Sequence, residues 1–296
     1  MKNVIIIVKG KRDNMLNIIK AIVFGIIEGI TEWLPISSTG HLILAERFLG
    51  FEGLSAGFWD MFEVVIQLGA ILAVVVLYFK NIWPLKYRES KHGGRELKFD
   101  KDILNLWGKI IVACVPAILI VVLKLDEWAD AHFYNPTCIA IMLIVVGIAF
   151  IVIESTKRKE PRVNSIKDLT YKDAIIIGIF QIIAGLFPGT SRSGATIIGA
   201  LLIGISREVA AEYTFYLAIP AMAGASLLKV LKFGLAFTSQ ELIVLIVGTF
   251  ISFIVSIVVI KFFMNYIRKH DFKVFGWYRI ALGIIVLILV ATNIMR

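Results

Sequence analysis

Gly25-Ile26-Ile27-Glu28-Gly29-Ile30-Thr31-Glu32-Trp33-Leu34-Pro35-Ile36-Ser37-Ser38-Thr39-Gly40-His41 runs apolar into a proline, then into small hydroxyl residues, then turns apolar again. A second stretch, 153 positions on, has the same shape: Gly178-Ile179-Phe180-Gln181-Ile182-Ile183-Ala184-Gly185-Leu186-Phe187-Pro188-Gly189-Thr190-Ser191-Arg192-Ser193-Gly194. Each is too polar at its centre for an ordinary lipid-facing helix. Together they carry carboxylates, hydroxyls, a histidine and an arginine. Those are the parts of a phosphate-handling site, and long apolar runs on either side place them inside a membrane.

Composition supports the membrane. The chain has 296 residues, of which 58% are hydrophobic and 18% charged, with a mean hydropathy of +0.85. A soluble chain of this length carries more charge and shorter apolar runs. Several runs here approach the ~20 residues needed to cross hydrocarbon. The net charge of +9 sits mostly in short loops, where the positive-inside rule accounts for it. No basic, aromatic-studded module argues for nucleic acid. Cys114 and Cys138 both fall in apolar runs and read as core residues, neither a disulfide nor a metal pair.

Apolar segments fall at roughly 16–36, 41–49, 61–79, 104–124, 137–153, 174–188, 194–205, 213–231, 241–262 and 274–294. Four are short and meet in pairs at the two Pro-rich breaks. Such pairs read as re-entrant hairpins. The other six read as full spans, so the chain is a hairpin plus three spans, twice. The spacing persists past the motifs, since Phe62 lies 153 before Phe215. An odd number of spans inverts the second copy. The expected fold is an all-α polytopic membrane protein: six transmembrane helices and two re-entrant hairpins in an inverted-topology repeat. Residues 1–14 read as an N-terminal extension, with Met15 a candidate start. Residues 15–296 form one membrane domain, with repeats at about 15–153 and 174–294.

Loop charge orients it. Lys80, Lys86, Arg88, Lys91, Arg95, Lys98 and Lys101 fill one loop. Lys157, Arg158, Lys159, Arg162, Lys167 and Lys172 fill another, and Lys261, Arg268, Lys269 and Lys273 a third. All three are expected on the cytoplasmic side, and the loop with Asp126, Glu127 and Asp130 outside. Alternation puts hairpin one on the outer side and both termini outside. Lys2, Lys9, Lys11 and Arg12 run against that placement of the N-terminus.

Glu28 and Glu32, four apart, share one helix face. Carboxylates at membrane depth need a cation, a partner or a water-filled cavity. A hard divalent cation, Mg²⁺ or Ca²⁺, takes oxygen ligands and sits naturally between such a pair and a phosphate; a solvated rim is the plainer alternative. Ser37, Ser38, Thr39 and His41 put hydroxyls at a helix start, a favourable anion site, of which a plain N-cap explains only one. His41 can serve a serine nucleophile as base or acid, or simply join two helices by a hydrogen bond. Arg192 is a planar fork suited to phosphate, flanked by Ser191, Ser193 and Thr196. Snorkelling would explain Arg192 otherwise, but apolar runs flank it on both sides. Glu63 and Gln67 either line the same cavity or bond between helices. His92, His132 and His270 read as solvated. No Walker A loop is present, which disfavours nucleotide chemistry. The set suits phosphoryl transfer, where positioning and charge neutralisation do most of the work.

These motifs resemble the undecaprenyl-pyrophosphate phosphatases of the bacitracin-resistance type, across nearly the whole chain. The residues that carry the likeness are Glu28 and Glu32 of an (E/Q)xxxE motif, Pro35 to His41 of a PxSSTGH element, Pro188 to Thr196 of a PGxSRSGAT element, and Phe62 to Gly69. The resemblance implies hydrolysis of a C55 isoprenyl pyrophosphate to the monophosphate and inorganic phosphate, which recycles the lipid carrier of peptidoglycan synthesis and raises bacitracin tolerance. It implies a divalent cation, residence in the bacterial cytoplasmic membrane among its lipids, and a site open to the outer face. Carried over, Glu28 and Glu32 hold metal and orient pyrophosphate, Ser38 is the leading nucleophile or positions a water, and His41 is base or acid. Ser37, Thr39, Ser191, Arg192, Ser193 and Thr196 bind phosphate oxygens. The other membrane lipid-phosphatase family places His six residues after its Arg; here that position is Ile198. A transporter or flippase of polyprenyl phosphates is the alternative, since broken helices and inverted repeats fit it too; it has no need of a nucleophile. Pairing of protomers into a homodimer is left open. Ser38 and Ser191 hold equivalent places in the repeat, with Gln181, Gly185 and Gly194 standing where the first copy has Glu28, Glu32 and His41.

Overall fold

The computed structural model describes residues 2–89, 95–156 and 160–294. Lys91 and His92 of the first charged loop, and Lys157, Arg158 and Lys159 of the second, lie outside them. Helices dominate. In the first half α1 (Lys2–Thr31) turns into α2 (Ser38–Leu49), followed by α3 (Phe58–Val65), α4 (Gln67–Leu77) and the short α5 (Phe79–Ile82). A hairpin of β1 (Leu85–Glu89) and β2 (Arg95–Phe99) leads to α6 (Lys101–Val122), α7 (Leu125–Phe133) and α8 (Pro136–Ser155). The second half is α9 (Tyr171–Leu186), α10 (Arg192–Leu202), α11 (Arg207–Phe233), α12 (Ser239–Ile267) and α13 (Lys273–Ala291).

Local chemistry sets the boundaries. Asp100 caps α6, and Asn135 caps α8 with Pro136 at its first position, where a missing N–H costs nothing. Thr170 with Asp173, and Thr238 with Glu241, form reciprocal capping boxes at α9 and α12.

Four features depart from expectation. Seven helices among the described residues are long and apolar enough to cross a membrane, one more than the six expected spans. The added one is Arg12–Thr31 of α1. No proline interrupts residues 11–14, and the backbone stays helical through them. Residues 2–14 therefore continue α1. The acidic segment around Asp126, expected as a loop, is α7, where Leu125, Trp128, Ala129 and His132 recur at helical spacing. The loop after α5 folds as an antiparallel pair, a small departure from an all-α chain. The expected span at 61–79 is α3 and α4 joined at Ile66, so Glu63 and Gln67 fall on either side of the joint.

The helices pack through small residues, as membrane helices do where no water drives them together. α8 lies against α13, where a Cβ on Gly147 or Gly276 would sit 2.7 Å from the other's carbonyl oxygen. α1 packs on α12, and α9 packs on α6. Trp33, fully buried, meets Phe215 of α11 edge-on at 5.1 Å between centroids. That contact docks the first break against the middle of α11.

Candidate active site

The two breaks are the same device. α2 starts at Ser38 with Ser37 as its cap, at φ 72°, its side chain accepting from the Gly40 N–H. α10 starts at Arg192 with Ser191 as its cap, at φ 70°, accepting from the Gly194 N–H. Two non-glycine residues in the left-handed region at matching places is strain retained at a site. The match corrects the expected register. Ser191 corresponds to Ser37, an offset of 154, and Arg192 corresponds to Ser38. One residue more separates proline from cap in the second copy, and Gly189 takes up the difference at φ 90°.

Glu32 joins the two helix starts. One carboxylate oxygen accepts from the Ser38 hydroxyl at 2.7 Å, the other from Arg192 Nη2 at 2.8 Å. Ser193 Oγ donates to the Glu32 carbonyl at 3.3 Å and lies 3.0 Å from Ser191 Oγ. Arg192 Nη1 donates to the Thr214 carbonyl at 3.0 Å, and Nη2 also points at the Met222 sulfur. The guanidinium is thus held from α1 and α11 at once. Thr196 is fully buried, with its hydroxyl donating to the Arg192 carbonyl and meeting Thr214 Oγ1 at 2.8 Å. Its hydroxyl braces α10 against α11. Thr39 is half-buried in the first turn of α2.

Glu28 is wholly buried one turn before Glu32, and neither of its carboxylate oxygens has a hydrogen-bond partner. An orphaned carboxylate at this depth is costly unless a cation answers it. Among the described residues no third acid, His or Cys joins the pair in a group placed to hold a metal. A cation held here would take two carboxylates from the protein and the rest of its oxygens from phosphate and water, a pattern that suits Mg²⁺. The residues present fit such an ion.

His41 stands apart from Ser38. Its Nδ1 is 2.7 Å from the Ser37 carbonyl, and a carbonyl only accepts, so Nδ1 carries a proton. Nε2 lies 2.7 Å from Tyr278 Oη. The serine's own hydrogen bond goes to Glu32.

Arg279 of α13 was not singled out from the sequence. It is fully buried and donates to the carbonyls of Pro35 at 3.1 Å, Gly189 at 2.8 Å and Thr190 at 2.9 Å. One guanidinium thereby ties both breaks together. An arginine in the middle of an apolar run was the signal. Thr214 and Tyr278 gave no such signal, being ordinary residues of apolar helices.

Residues 21–285 match the family described as bacitracin resistance protein BacA. The chain belongs to this family. It is 56% identical to the undecaprenyl-diphosphatase of Desulfitobacterium hafniense, over 93% of this chain and 96% of that protein. It is 58% identical to undecaprenyl-diphosphatase 1 of Clostridium acetobutylicum, over 92% and 97%, and 53% identical to the undecaprenyl-diphosphatase of Enterococcus faecalis, over 94% and 99%. The matched span contains both breaks and Arg279.

Proposed function

We infer that this chain is a multi-pass membrane hydrolase that converts undecaprenyl pyrophosphate to the monophosphate and inorganic phosphate, recycling the wall-synthesis lipid carrier and conferring bacitracin resistance. The family membership and the relatives' names carry the activity. They give the transporter reading no support. The observation that carries the chemistry is Glu32, bonded to a hydroxyl on one side and to a guanidinium on the other.

In our reading the Ser38 hydroxyl gives its proton to Glu32 and its oxygen attacks the terminal phosphorus. The P–O bond to the bridging oxygen breaks, and lipid monophosphate leaves. The departing monophosphate takes the proton from Glu32; water then attacks the phosphoserine, one of its protons passing through Glu32 to the leaving Ser38 oxygen and the other staying on the inorganic phosphate released. Arg192, freed from Glu32 as the proton arrives there, turns its fork to the transferring phosphoryl oxygens. The first N–H groups of α2 and α10 face the same charge. Ser37 and Ser191 hold those helix starts in place, Ser193 and Thr196 hold α10, and Thr39 borders the site. His41 and Tyr278 form a pair that passes protons from the rim. Glu28 and Glu32 are the residues that would hold a divalent cation, Mg²⁺ or Ca²⁺, which when bound neutralises pyrophosphate charge.

The finer topology is also part of this reading. The 16 residues of α9 span about 24 Å at ~1.5 Å per residue, short of ~30 Å of hydrocarbon, whereas α1 from Arg12 onward is long enough to cross. In our reading α9 with α10 is a re-entrant hairpin, and α1 with α2 is its counterpart in the first repeat by the likeness of the two breaks. The exchange by which α1 packs on α12 while α9 packs on α6 supports an inverted repeat. Loop charge supports a site open to the outer face of the bacterial plasma membrane.

The test is phosphate release from undecaprenyl pyrophosphate by purified protein, with and without EDTA. Ser38→Ala and Glu32→Ala are each expected to lower turnover by about 10³-fold, and both together little further, as for residues acting as a unit. Undiminished turnover in either single variant sinks the assignment.

A further inference from the structure

A cavity of about 440 Å³ lies at the lysine-rich end of the molecule between the start of α6, residues 164–167 and the start of α11. Four lysines and four carboxylates line it. Every carboxylate is engaged. Asp100 holds Lys86 at 3.0 Å, and this hydrogen-bonded ammonium keeps its carboxyl below the usual range. Asp102 holds Lys167 at 2.9 Å, Glu208 holds Arg268 at 3.2 Å, and Glu212 accepts from the Tyr216 hydroxyl. Lys80 and Lys109 are left with no carboxylate in ion-pair range among the described residues.

Lys109 is the decisive group. It is only 4% exposed, and its one hydrogen bond is a long 3.5 Å contact to the Lys167 carbonyl. An ammonium has three donors, and buried lysines are normally paired. Here the unfilled donors border a polar cavity to which Asn105 adds an amide. Among the described residues Tyr216 is the only aromatic one in the lining, so there is little surface for stacking a base. Two ammoniums without an ion pair, set against one lining carboxylate, Glu212, whose partner is a neutral phenol, leave donors that suit a small phosphate anion.

We propose that this cavity is a second anion site, which takes a phosphate monoester dianion: the headgroup of a lipid monophosphate at the membrane surface, or free phosphate with the same chemistry. It is separate from the Ser38–Arg192 pair. α11 forms the partition between them: Tyr213 Oη donates to the Lys109 carbonyl at 2.9 Å, and the next residue, Thr214, holds Arg192. No side chain is shared, so the site stands whether or not Ser38 is the nucleophile.

The experiment is equilibrium binding to the purified full-length chain in detergent, with radiolabelled orthophosphate in one arm and radiolabelled farnesyl monophosphate in the other. Wild type is compared with Lys80→Gln and Lys109→Gln. At least one ligand is expected to show a site that Lys80→Gln weakens about tenfold, the loss typical of one charge-assisted hydrogen bond, and that Lys109→Gln removes. Undecaprenyl pyrophosphate hydrolysis stays at its wild-type rate in both. The arm that shows the lysine-dependent site identifies the source of the phosphate. Identical affinity and stoichiometry for both ligands in wild type and variants overturns the proposal. If Lys109→Gln fails to give monodisperse protein, Lys80→Gln and the charge-reversed Lys80→Glu decide alone, since the Lys80 side chain is exposed and its loss leaves the packing intact.

Discussion

Glu28 and Glu32 sit one helical turn apart and have opposite surroundings. Glu32 is answered on both oxygens, by Ser38 and by Arg192, whereas Glu28 is answered on neither. Removing the charge therefore has opposite consequences for stability at the two places. Glu28→Gln removes an orphaned buried charge, so in EDTA the variant is expected to melt higher than wild type, by the few degrees that about 1–2 kcal/mol of relieved desolvation gives. Mg²⁺-dependent turnover is expected to vanish in the same variant, because an amide binds a hard cation poorly. Melting curves with and without Mg²⁺ check the first outcome and phosphate release the second. A Glu28→Gln protein that melts lower in EDTA and still responds to Mg²⁺ shows that Glu28 has some other partner. Both acids were legible in the sequence, because carboxylates four apart in an apolar run have few explanations. Their unequal partnering was not, since it depends on Arg192, which lies 160 residues away in the chain.

At the scale of the element, the helix starts were legible and their register was not. Proline followed by hydroxyls marks both breaks, and α2 and α10 begin where those hydroxyls cap them. Aligning the prolines paired Ser38 with Ser191, but the caps pair Ser37 with Ser191, because Gly189 absorbs an extra residue in a conformation open to glycine. The nucleophile we propose therefore stands opposite Arg192 in the repeat, which is why one carboxylate reaches both. The caps carry a prediction. Ser37 combines a left-handed backbone with a capping hydrogen bond. Ser37→Gly loses the bond but relieves the strain, so stability is expected to change by less than about 1 kcal/mol. Ser37→Val loses the bond and sets a β-branched residue at φ 72°, and is expected to cost about 2–4 kcal/mol. Denaturation in detergent measures both. Equal losses in the two variants show that the hydroxyl alone matters there.

Over the whole molecule, two of the cross-links between the halves meet at the breaks: the Glu32–Arg192 pair and Arg279, whose donors satisfy carbonyls of both breaks. Arg279→Met leaves those carbonyls unanswered and is expected to cost about 3 kcal/mol or more, with turnover lost although the residue is remote from the reacting atoms; melting temperature and phosphate release measured on one preparation check this. Six of the seven helices able to cross were legible from apolar run length, which the bilayer itself dictates; the seventh, in α1, reads in the sequence as an arm of a hairpin. Orientation rests on charge alone and is open to direct measurement. Tyr87 on β1 and Trp128 on α7 are both exposed, and the single helix α6 separates them. Lys80, Lys86, Lys98 and Lys101 surround the first, and Asp126, Glu127 and Asp130 the second. In a Cys114→Ser, Cys138→Ser background, Trp128→Cys is expected to react with a membrane-impermeant maleimide in intact cells, and Tyr87→Cys only after permeabilisation. The reverse pattern turns the molecule over and opens the Ser38–Arg192 site to the cytoplasm. Labelling of both from one side shows that α6 does not cross, and the inverted repeat falls with it, since its parity needs that span.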